Sequence, residues 1–235
     1  MPEHRIDTLD VSSVVAIAAS AGGLEATSLL AQYLPLDLNC CYIVAQHMSP
    51  SHTSILVQLL SRETKLKVEE LGEKVAPKSS VIYIPPPGKD VRFRDGHIVL
   101  TAPEGHPASS KPSADLLFSS LADAVGENAI GVVLSGTGSD GSYGVQAIRE
   151  KGGITIAQLP SSCKYDSMPA SAIRTGCVDL TLTPQQIGEH IGMILERPRD
   201  LQALRSLNEI SDRNSDLFEI MLAHTKVDFR HTVLS

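Results

Sequence analysis

Short apolar runs alternate with helix-forming stretches along most of this chain. The apolar run 14–19 ends in a Ser-Ala-Gly-Gly turn at 20–23, and a helical stretch follows at 24–33. The same order recurs with a buried strand at 41–45 and a helix at 53–61. This alternation predicts the doubly wound α/β class, in which a mainly parallel sheet carries helices on both faces.

A different pattern appears between residues 81 and 100. The segments 91–94 and 97–100 are typical of strands, and they flank the dipeptide Asp95-Gly96. Such a dipeptide between two strands is typical of a two-residue β-hairpin. We therefore expect a small antiparallel hairpin addition to the sheet.

The parallel pattern resumes after this hairpin. It comprises a helix at 115–125 capped by Ser113, strands at 130–135, 154–158 and 177–182, and a last helix that begins at Thr183-Pro184. With 235 residues and 42% hydrophobic content, the chain can bury the core of one such domain and carry an appendage. We assign residues 1–12 to an N-terminal extension, 13–196 to the domain, and 197–235 to a helical linker or appendage.

Composition excludes several classes of function. A formal net charge of -7 without a basic cluster argues against nucleic-acid binding. No apolar run reaches the roughly 18 to 20 residues that span a bilayer, so we expect no membrane insertion. The four cysteines form no CxxC pair, which favours reduced thiols in a cytoplasmic protein.

Ser20 lies between the first strand and the first helix. A serine nucleophile needs exposure, a base within hydrogen-bond reach and backbone donors for an oxyanion. The turn lets this side chain project, Gly22 and Gly23 allow a substrate close to the backbone, and the amino end of the helix offers free N–H groups. The alternative is that Ser20 only caps the helix.

His47 follows the second strand, directly after Gln46. The carboxyl ends of parallel strands meet at one edge of a sheet, so His47 is expected near Ser20, where a general base is needed. A purely structural histidine is the alternative. His52 is a weaker candidate, and its spacing from His47 does not align the two as a metal pair, so no metal site is expected.

Asp140 follows the strand predicted at 130–135 and supplies a carboxylate at the same edge. An aspartate there could hold the tautomer of His47 and stabilise the imidazolium that forms during acyl transfer. The chain order is Ser, His, Asp, and triads are defined by geometry rather than by order.

The segment 136–141 also matches GxGxxG, which makes dinucleotide binding a rival hypothesis. That fingerprint needs an acidic residue about 20 positions further on, at the end of the next strand. Here that strand ends in Ala157-Gln158, and Asp140 inside the loop would repel a pyrophosphate. No nucleotide cofactor is expected.

Five ordered segments of the chain resemble the catalytic domain of CheB-type protein-glutamate methylesterases, at 19–23, 46–48, 111–115, 134–141, and 162–163 with 168–169. The resemblance extends from about residue 14 to about residue 195. It implies that Ser20 is the nucleophile, His47 the general base and Asp140 its orienting partner. It also implies a cleft without metal or cofactor.

The same resemblance implies that backbone amides near Ala21 and Thr137 bind the oxyanion, with Gly22 beside them. Two residues depart from the family pattern, which commonly has Thr where this chain has Ala21 and Met where it has Thr137. If the family's threonine side chain aids the anion, activity is lower here. If only the amide acts, little is lost.

The implied reaction is hydrolysis of glutamyl methyl esters on the cytoplasmic helices of chemoreceptors, with release of methanol. Deamidation of receptor glutamines uses the same acyl chemistry. The rival hypotheses are a catalytically weak regulatory module that binds a partner through the same cleft, and a general hydrolase of small esters. Because the chain is itself acidic, recognition of a receptor is expected to be local.

Two further expectations concern the ends of the chain. The family's receiver domain is expected to be absent, because the catalytic strand comes almost directly after the N-terminus. The segments 217–222, 224–225 and 227–229 resemble the opening helices of CheR-type methyltransferase domains, which implies a fusion of esterase and methyltransferase. An ordinary helical appendage is the alternative.

Overall fold

A parallel sheet forms the centre of the domain in the computed structural model, which describes residues 10–47, 55–104 and 111–196. In chain order the strands of these residues are β1 (Ser13–Ala19), β2 (Cys40–Gln46), β3 (Lys67–Glu70), β4 (Lys74–Val75), β5 (Val81–Ile84), β6 (Asp90–Arg94), β7 (His97–Thr101), β8 (Ala129–Val133), β9 (Ile154–Gln158) and β10 (Leu180–Leu182). Seven of them form one sheet in the order β10-β9-β8-β1-β2-β5-β3, and all neighbouring pairs are parallel.

Both faces of this sheet are buried. In β1, Val15 and Ile17 belong to one apolar cluster, whereas Val14 and Ala16 belong to a second cluster on the opposite face. Successive side chains of a strand point to opposite faces, so a strand covered on both sides must be apolar throughout. This explains why the central strands are uninterrupted apolar runs in the sequence.

Six helices of the described residues cover the sheet, namely α1 (Gly23–Gln32), α2 (Leu56–Glu63), α3 (Ala114–Val125), α4 (Ser142–Glu150), α5 (Ser167–Arg174) and α6 (Pro184–Glu196). Helices α1, α2 and α6 contribute to the first apolar cluster, through Leu30, Leu60 and Ile191. Helices α3, α4 and α5 contribute to the second. The predicted doubly wound α/β class is therefore confirmed. None of these six helices is long and apolar enough to cross a membrane.

The expected antiparallel addition is present and forms a sheet of its own. Strands β6 and β7 pair across Asp95-Gly96, and the short β4 joins β7 to give the order β4-β7-β6. This small sheet packs on α3, where the Phe93 amide donates a 3.0 Å hydrogen bond to Ser120 Oγ. It thereby supports the helix whose amino end reaches the site described below.

One predicted strand is shorter than expected. The segment 177–182 contains β10 only at Leu180–Leu182. The Asp179 carboxylate accepts hydrogen bonds from the amide and the hydroxyl of Thr155, at 2.8 and 2.9 Å. A side chain thus occupies the edge of β9 where a longer β10 would pair.

The strand order reverses beside β1. From β1 the chain builds outward through β2 to β5 and β3, and it then returns to place β8 and β9 on the other side. In open α/β sheets, sites form at such a switch point, outside the carboxyl ends of the strands. Residues Ser20, His47 and Asp140 all follow strands at this position.

Candidate active site

Ser20 lies at the carboxyl end of the central strand β1. Its amide donates to the Ser135 carbonyl at 3.0 Å, and its carbonyl accepts from the Gly23 amide at 2.8 Å. Gly22 has a left-handed φ of 70°, and a Cβ added to it would lie 2.8 Å from both Lys164 Cβ and Ser135 Oγ. Glycine is therefore required at this tight turn.

His47 is fixed at the end of β2, next to the Ser20 turn. Its amide donates to the Ala19 carbonyl at 2.8 Å, and its ring Nε2 lies 2.8 Å from Asp140 Oδ2. An ionised carboxylate only accepts hydrogen bonds, so Nε2 carries a proton, and in the neutral imidazole Nδ1 then has the free lone pair. Nδ1 is buried and without a hydrogen-bond partner among the described residues. This nitrogen is available to accept a proton.

The structure thus joins His47 directly to Asp140, and it places Ser20 on the adjoining strand end. Between the side chains of Ser20 and His47 themselves, no hydrogen bond is present among the described residues. Contacts of this kind are often loose in a free enzyme and tighten when substrate binds.

Asp140 is held at the amino end of α3. Its carboxylate accepts from the amides of Ala114 and Asp115, at 2.8 and 3.0 Å, and from Ser113 Oγ at 3.3 Å. Burial acts to raise the pKa of Asp140, but the hydrogen bonds from His47 and from these two amides outweigh it and hold the pKa below its ordinary value. Asp140 therefore stays ionised, as the partner of a histidine requires.

A second carboxylate, Asp115, makes the reciprocal contact. Its Oδ1 accepts from the amides of Gly141 and Gly144, at 2.9 and 2.8 Å, at the amino end of α4. Burial is the main cause that raises the pKa of Asp115 to about 6, and the nearby charge of Asp140 adds to it. Asp140 thus occupies the amino end of α3, the helix that contains Asp115, and Asp115 occupies the amino end of α4, the helix that follows Asp140.

A buried ion pair fixes the segment before α3. Asp90 is fully buried, and its Oδ2 accepts from Lys111 Nζ at 2.8 Å. Its Oδ1 accepts from the Ser113 amide at 2.7 Å, directly before the helix that carries the Asp140 contacts. Removing one partner of such a buried pair typically costs about 3–5 kcal/mol. Asp90 therefore helps to fix the amino end of α3, and with it the amides that donate to Asp140.

The three residues expected around an oxyanion lie on two turns. Ala21 and Gly22 precede α1. Thr137 follows Gly136, which lies close to Ser20, because a Cβ added to Gly136 would be 2.9 Å from Ser20 Cβ. Thr137 is exposed, and the Ala21 and Thr137 amides have no acceptor among the described residues. Both amides are thus free to bind an incoming group.

Three residues of this site were not singled out from the sequence. Gln46 bonds to the Ser20 carbonyl, Ser135 bonds to the Ala21 carbonyl, and Asp90 holds Lys111. Gln46 and Ser135 are polar residues at the ends of otherwise apolar strands, which is a signal visible in the sequence. The Asp90 pair left no such signal, because its partners lie 21 residues apart in the sequence.

No group of three or more His, Cys, Asp or Glu side chains that could hold a metal ion occurs at 10–47, 55–104 or 111–196. His52 lies outside these described residues. All four cysteines are free thiols, and Cys40 and Cys41 are buried in β2.

Comparison with known proteins identifies relatives of this domain. A protein-glutamate methylesterase/protein-glutamine glutaminase from Archaeoglobus fulgidus is 33% identical over 185 residues, which are 77% of this chain and 53% of that protein. The protein of the same name from Salmonella typhimurium is 37% identical over 188 residues, 76% of this chain and 53% of that protein. The chain thus spans about half the length of the curated relatives that it matches.

The fold has a close counterpart among solved structures. The crystal structure of the Thermotoga maritima CheB methylesterase catalytic domain matches with a TM-score of 0.69 and 26% sequence identity, over 77% of this chain and 98% of that domain. The family model described as CheB methylesterase matches residues 15–191, from within β1 to within α6. On this evidence the chain belongs to the CheB methylesterase family.

Proposed function

We propose that this domain is a serine hydrolase that removes methyl groups from glutamyl methyl esters of chemoreceptors. In this proposal Ser20 is the nucleophile, His47 the general base and Asp140 its orienting partner. The observation that carries it is the 2.8 Å bond between His47 Nε2 and Asp140 Oδ2, at the Ser20 edge of the sheet. It leaves the Nδ1 of His47 without a hydrogen-bond partner among the described residues. Family membership and the names of the relatives support the same reaction.

The first half-reaction forms an acyl-enzyme. Ser20 Oγ attacks the ester carbonyl carbon while His47 Nδ1 takes the hydroxyl proton, and the carbonyl oxygen becomes an anion. When this intermediate collapses, the bond to the methoxy oxygen breaks, and the methoxy group leaves with the proton from Nδ1 as methanol. The ionised Asp140 stabilises the imidazolium that exists between these two proton transfers.

The second half-reaction uses water. His47 Nδ1 takes a proton from the water as it attacks the acyl carbon, and collapse releases Ser20 Oγ, which regains the proton. The glutamyl side chain leaves as a free carboxylate. A glutamine side chain would follow the same steps with ammonia as the leaving group, so we propose the deamidation of receptor glutamines as a second reaction of this site.

The anion formed in each half-reaction needs hydrogen-bond donors. We assign this role to the amides of Ala21 and Thr137, with Gly22 beside them. The free amides and the amino end of α1 favour negative charge at this point. In this assignment the backbone supplies the donors, so Ala21 and Thr137 can replace the family's usual residues.

The proposed substrate is a protein rather than a small ester, and the proposed location is the cytoplasm, where the methylated helices of a receptor lie. The free thiols are consistent with a reducing compartment. From the sequence resemblance we also propose that residues 13–196 are the esterase unit and that residues 197–235 lead into a CheR-type methyltransferase domain. Residues 1–9 and 197–235 lie outside the described residues.

The experiment uses a receptor fragment that carries radiolabelled methyl esters on its glutamyl side chains. The wild-type domain is expected to release labelled methanol, and Ser20→Ala is expected to lower the rate by about 10³-fold or more. Ser61→Ala is the matched control, since that hydroxyl donates to the Val57 carbonyl within α2.

Methanol release that persists in Ser20→Ala contradicts the proposed nucleophile. Rapid turnover of small soluble esters without release from the receptor fragment would instead support a general esterase.

A further inference from the structure

Two buried polar side chains surround the Ser20 turn. Gln46 is 8% exposed and ends β2, and Ser135 is 1% exposed and lies just beyond β8. Burying a polar group is costly unless it is hydrogen-bonded. Neither group is required as a nucleophile, base or acid in the reaction proposed above.

Gln46 donates hydrogen bonds to the backbone of both Ser20 and His47. Its Nε2 donates to the Ser20 carbonyl at 2.9 Å and to the His47 carbonyl at 3.2 Å. The Gly23 amide also donates to the Ser20 carbonyl, at 2.8 Å. In a trans peptide the C=O and the N–H point in opposite directions. Holding the Ser20 carbonyl inward therefore directs the Ala21 N–H outward.

Ser135 acts on the next peptide in the same way. Its Oγ lies 3.0 Å from the Ala21 carbonyl and 3.1 Å from the Tyr165 carbonyl, and it accepts from the Tyr165 amide at 3.0 Å. The backbone of Ser135 is itself fixed, because its amide donates to Gln158 Oε1 at 2.8 Å. Holding the Ala21 carbonyl inward directs the Gly22 N–H outward.

We propose that Gln46 and Ser135 are positioning residues that orient the Ala21 and Gly22 amides toward the oxyanion of the reaction, an inference that rests on the proposed function. Gln46 holds the Ser20 carbonyl and Ser135 holds the Ala21 carbonyl, and these carbonyls belong to consecutive peptides of the turn. Donors that are oriented before the reaction lower its barrier because nothing must reorganise as charge develops. The Gln46 contact to the His47 carbonyl ties the base to the same turn.

The test replaces each side chain by one of similar size that lacks the hydrogen bond. For Ser135→Ala and Gln46→Met we expect kcat to fall about 10- to 100-fold, with KM within about twofold, because orientation of an oxyanion donor is lost while substrate contacts are kept. Ser135→Thr keeps the hydroxyl and is expected to restore most of kcat. The assay is methanol release from the labelled receptor fragment.

A second measurement is independent of the substrate. Phenylboronic acid forms a tetrahedral anionic adduct with an active-site serine, so its affinity reports stabilisation of the anion at Ser20. We expect this affinity to fall in Ser135→Ala and Gln46→Met by a factor similar to the fall in kcat, and to recover in Ser135→Thr.

Matched controls separate positioning from folding. Ser12→Ala removes a hydroxyl that donates to the Asn39 carbonyl, at the end of β1 opposite the Ser20 turn. Gln146→Met removes a carboxamide that donates to the Ser142 carbonyl in α4. Both controls are expected to keep kcat and boronate affinity, whatever their effect on Tm.

Unchanged kcat and boronate affinity in both Ser135→Ala and Gln46→Met would overturn the inference, and so would a loss of Tm without a loss of boronate affinity. If the wild-type domain releases no methanol, the proposed function fails, and the boronate measurement still decides whether the two residues orient the turn.

Discussion

Two strand–turn–helix units meet at the site, and they differ at the amino end of their helices. In the β1–α1 unit and the β8–α4 unit alike, a left-handed glycine precedes the helix, with a φ of 70° at Gly22 and 96° at Gly141. At α4 the Gly141 and Gly144 amides donate to the Asp115 carboxylate. At α1 the Ala21 and Gly22 amides have no acceptor among the described residues. The acidic side chain of the first turn, Glu25, contacts its own amide and Lys164 instead.

This difference shows which of the two turns is free to bind an anion. The amino end of a helix favours negative charge through its free N–H groups and its dipole. At α4 the protein has filled this position with its own carboxylate, whereas at α1 the position beside Ser20 is open. The GxGxxG sequence at 136–141 thus has its anion-binding end occupied, which argues against the dinucleotide hypothesis.

The largest expected effect comes from breaking the contact that links the β8–α4 unit to His47. Asp140→Asn places an amide where the carboxylate now accepts from Nε2, so the wrong tautomer of His47 is favoured. We expect kcat for methanol release to fall about 10³- to 10⁴-fold. Asp123→Asn, which alters only an exposed contact to Lys151, is the control and should stay near wild type. A fall of less than tenfold in Asp140→Asn contradicts the orienting role.

The two glycines give a direct comparison of the turns. An alanine at Gly22 meets both backbone strain and atoms at 2.8 Å, whereas the nearest atom to a Cβ at Gly141 is 3.4 Å away. We expect Gly22→Ala to lower the free energy of unfolding by about 2–4 kcal/mol and Gly141→Ala by about 1–2 kcal/mol. Urea denaturation measures both values. Equal losses, or a larger loss for Gly141→Ala, would show that the tight packing at Gly22 has been misjudged.

The two aspartates should differ in how stability depends on pH. The folded pKa of Asp115 is raised to about 6, so the folded protein binds more protons than the unfolded chain between about pH 4 and pH 6. Its contribution to stability therefore falls as the pH rises through that window. Asp140 has a lowered pKa, so its contribution is present above about pH 4 and is lost only in more acid solution.

Asp115→Asn keeps an acceptor oxygen for α4 and removes the charge. We expect this variant to be more stable than wild type at pH 7.5, by up to about 1 kcal/mol after allowance for solvent screening, and the gain to disappear below about pH 4. Denaturation at several pH values measures this difference. A gain that is constant with pH would exclude the charge as its cause.

The smallest expected effect is the absence of nucleotide binding. Because Asp115 occupies the α4 amides, NAD at about millimolar concentration is expected to give no heat in calorimetric titration, which corresponds to a Kd weaker than about 1 mM. Saturable binding in the micromolar range would show that the amino end of α4 is accessible after all.

Much of this arrangement could be predicted from the sequence. Uninterrupted apolar runs identified the central strands, and the parallel topology then placed Ser20, His47 and Asp140 at one edge. Strand β5 was not predicted, because Val81–Ile84 lies in the segment whose pattern suggested the antiparallel hairpin. The edge strand β3 and the short β4 were not predicted, because Lys67–Glu70 and Lys74–Val75 are polar and partly exposed, without an apolar pattern. Helix α5 was also not predicted, and the proline in its first turn does not distinguish a helix from a loop.

The reciprocal placement of Asp115 and Asp140 was beyond prediction for a different reason. It depends on the packing of α3 against α4, which brings each carboxylate to the amino end of the other helix. A sequence pattern shows that both residues are acidic and lie near turns. It does not show which amides they accept from, and that choice determines which of the two helix ends stays open.

In the proposed reaction the open amino end of α1 stabilises an anion bonded to Ser20. A crystal structure of the domain with phenylboronic acid tests it most directly. We expect boron bonded to Ser20 Oγ, with a boronate oxygen about 2.7–3.1 Å from the Ala21 amide nitrogen. A boronate that is bonded to another residue, or whose oxygens point away from the amino end of α1, would contradict it.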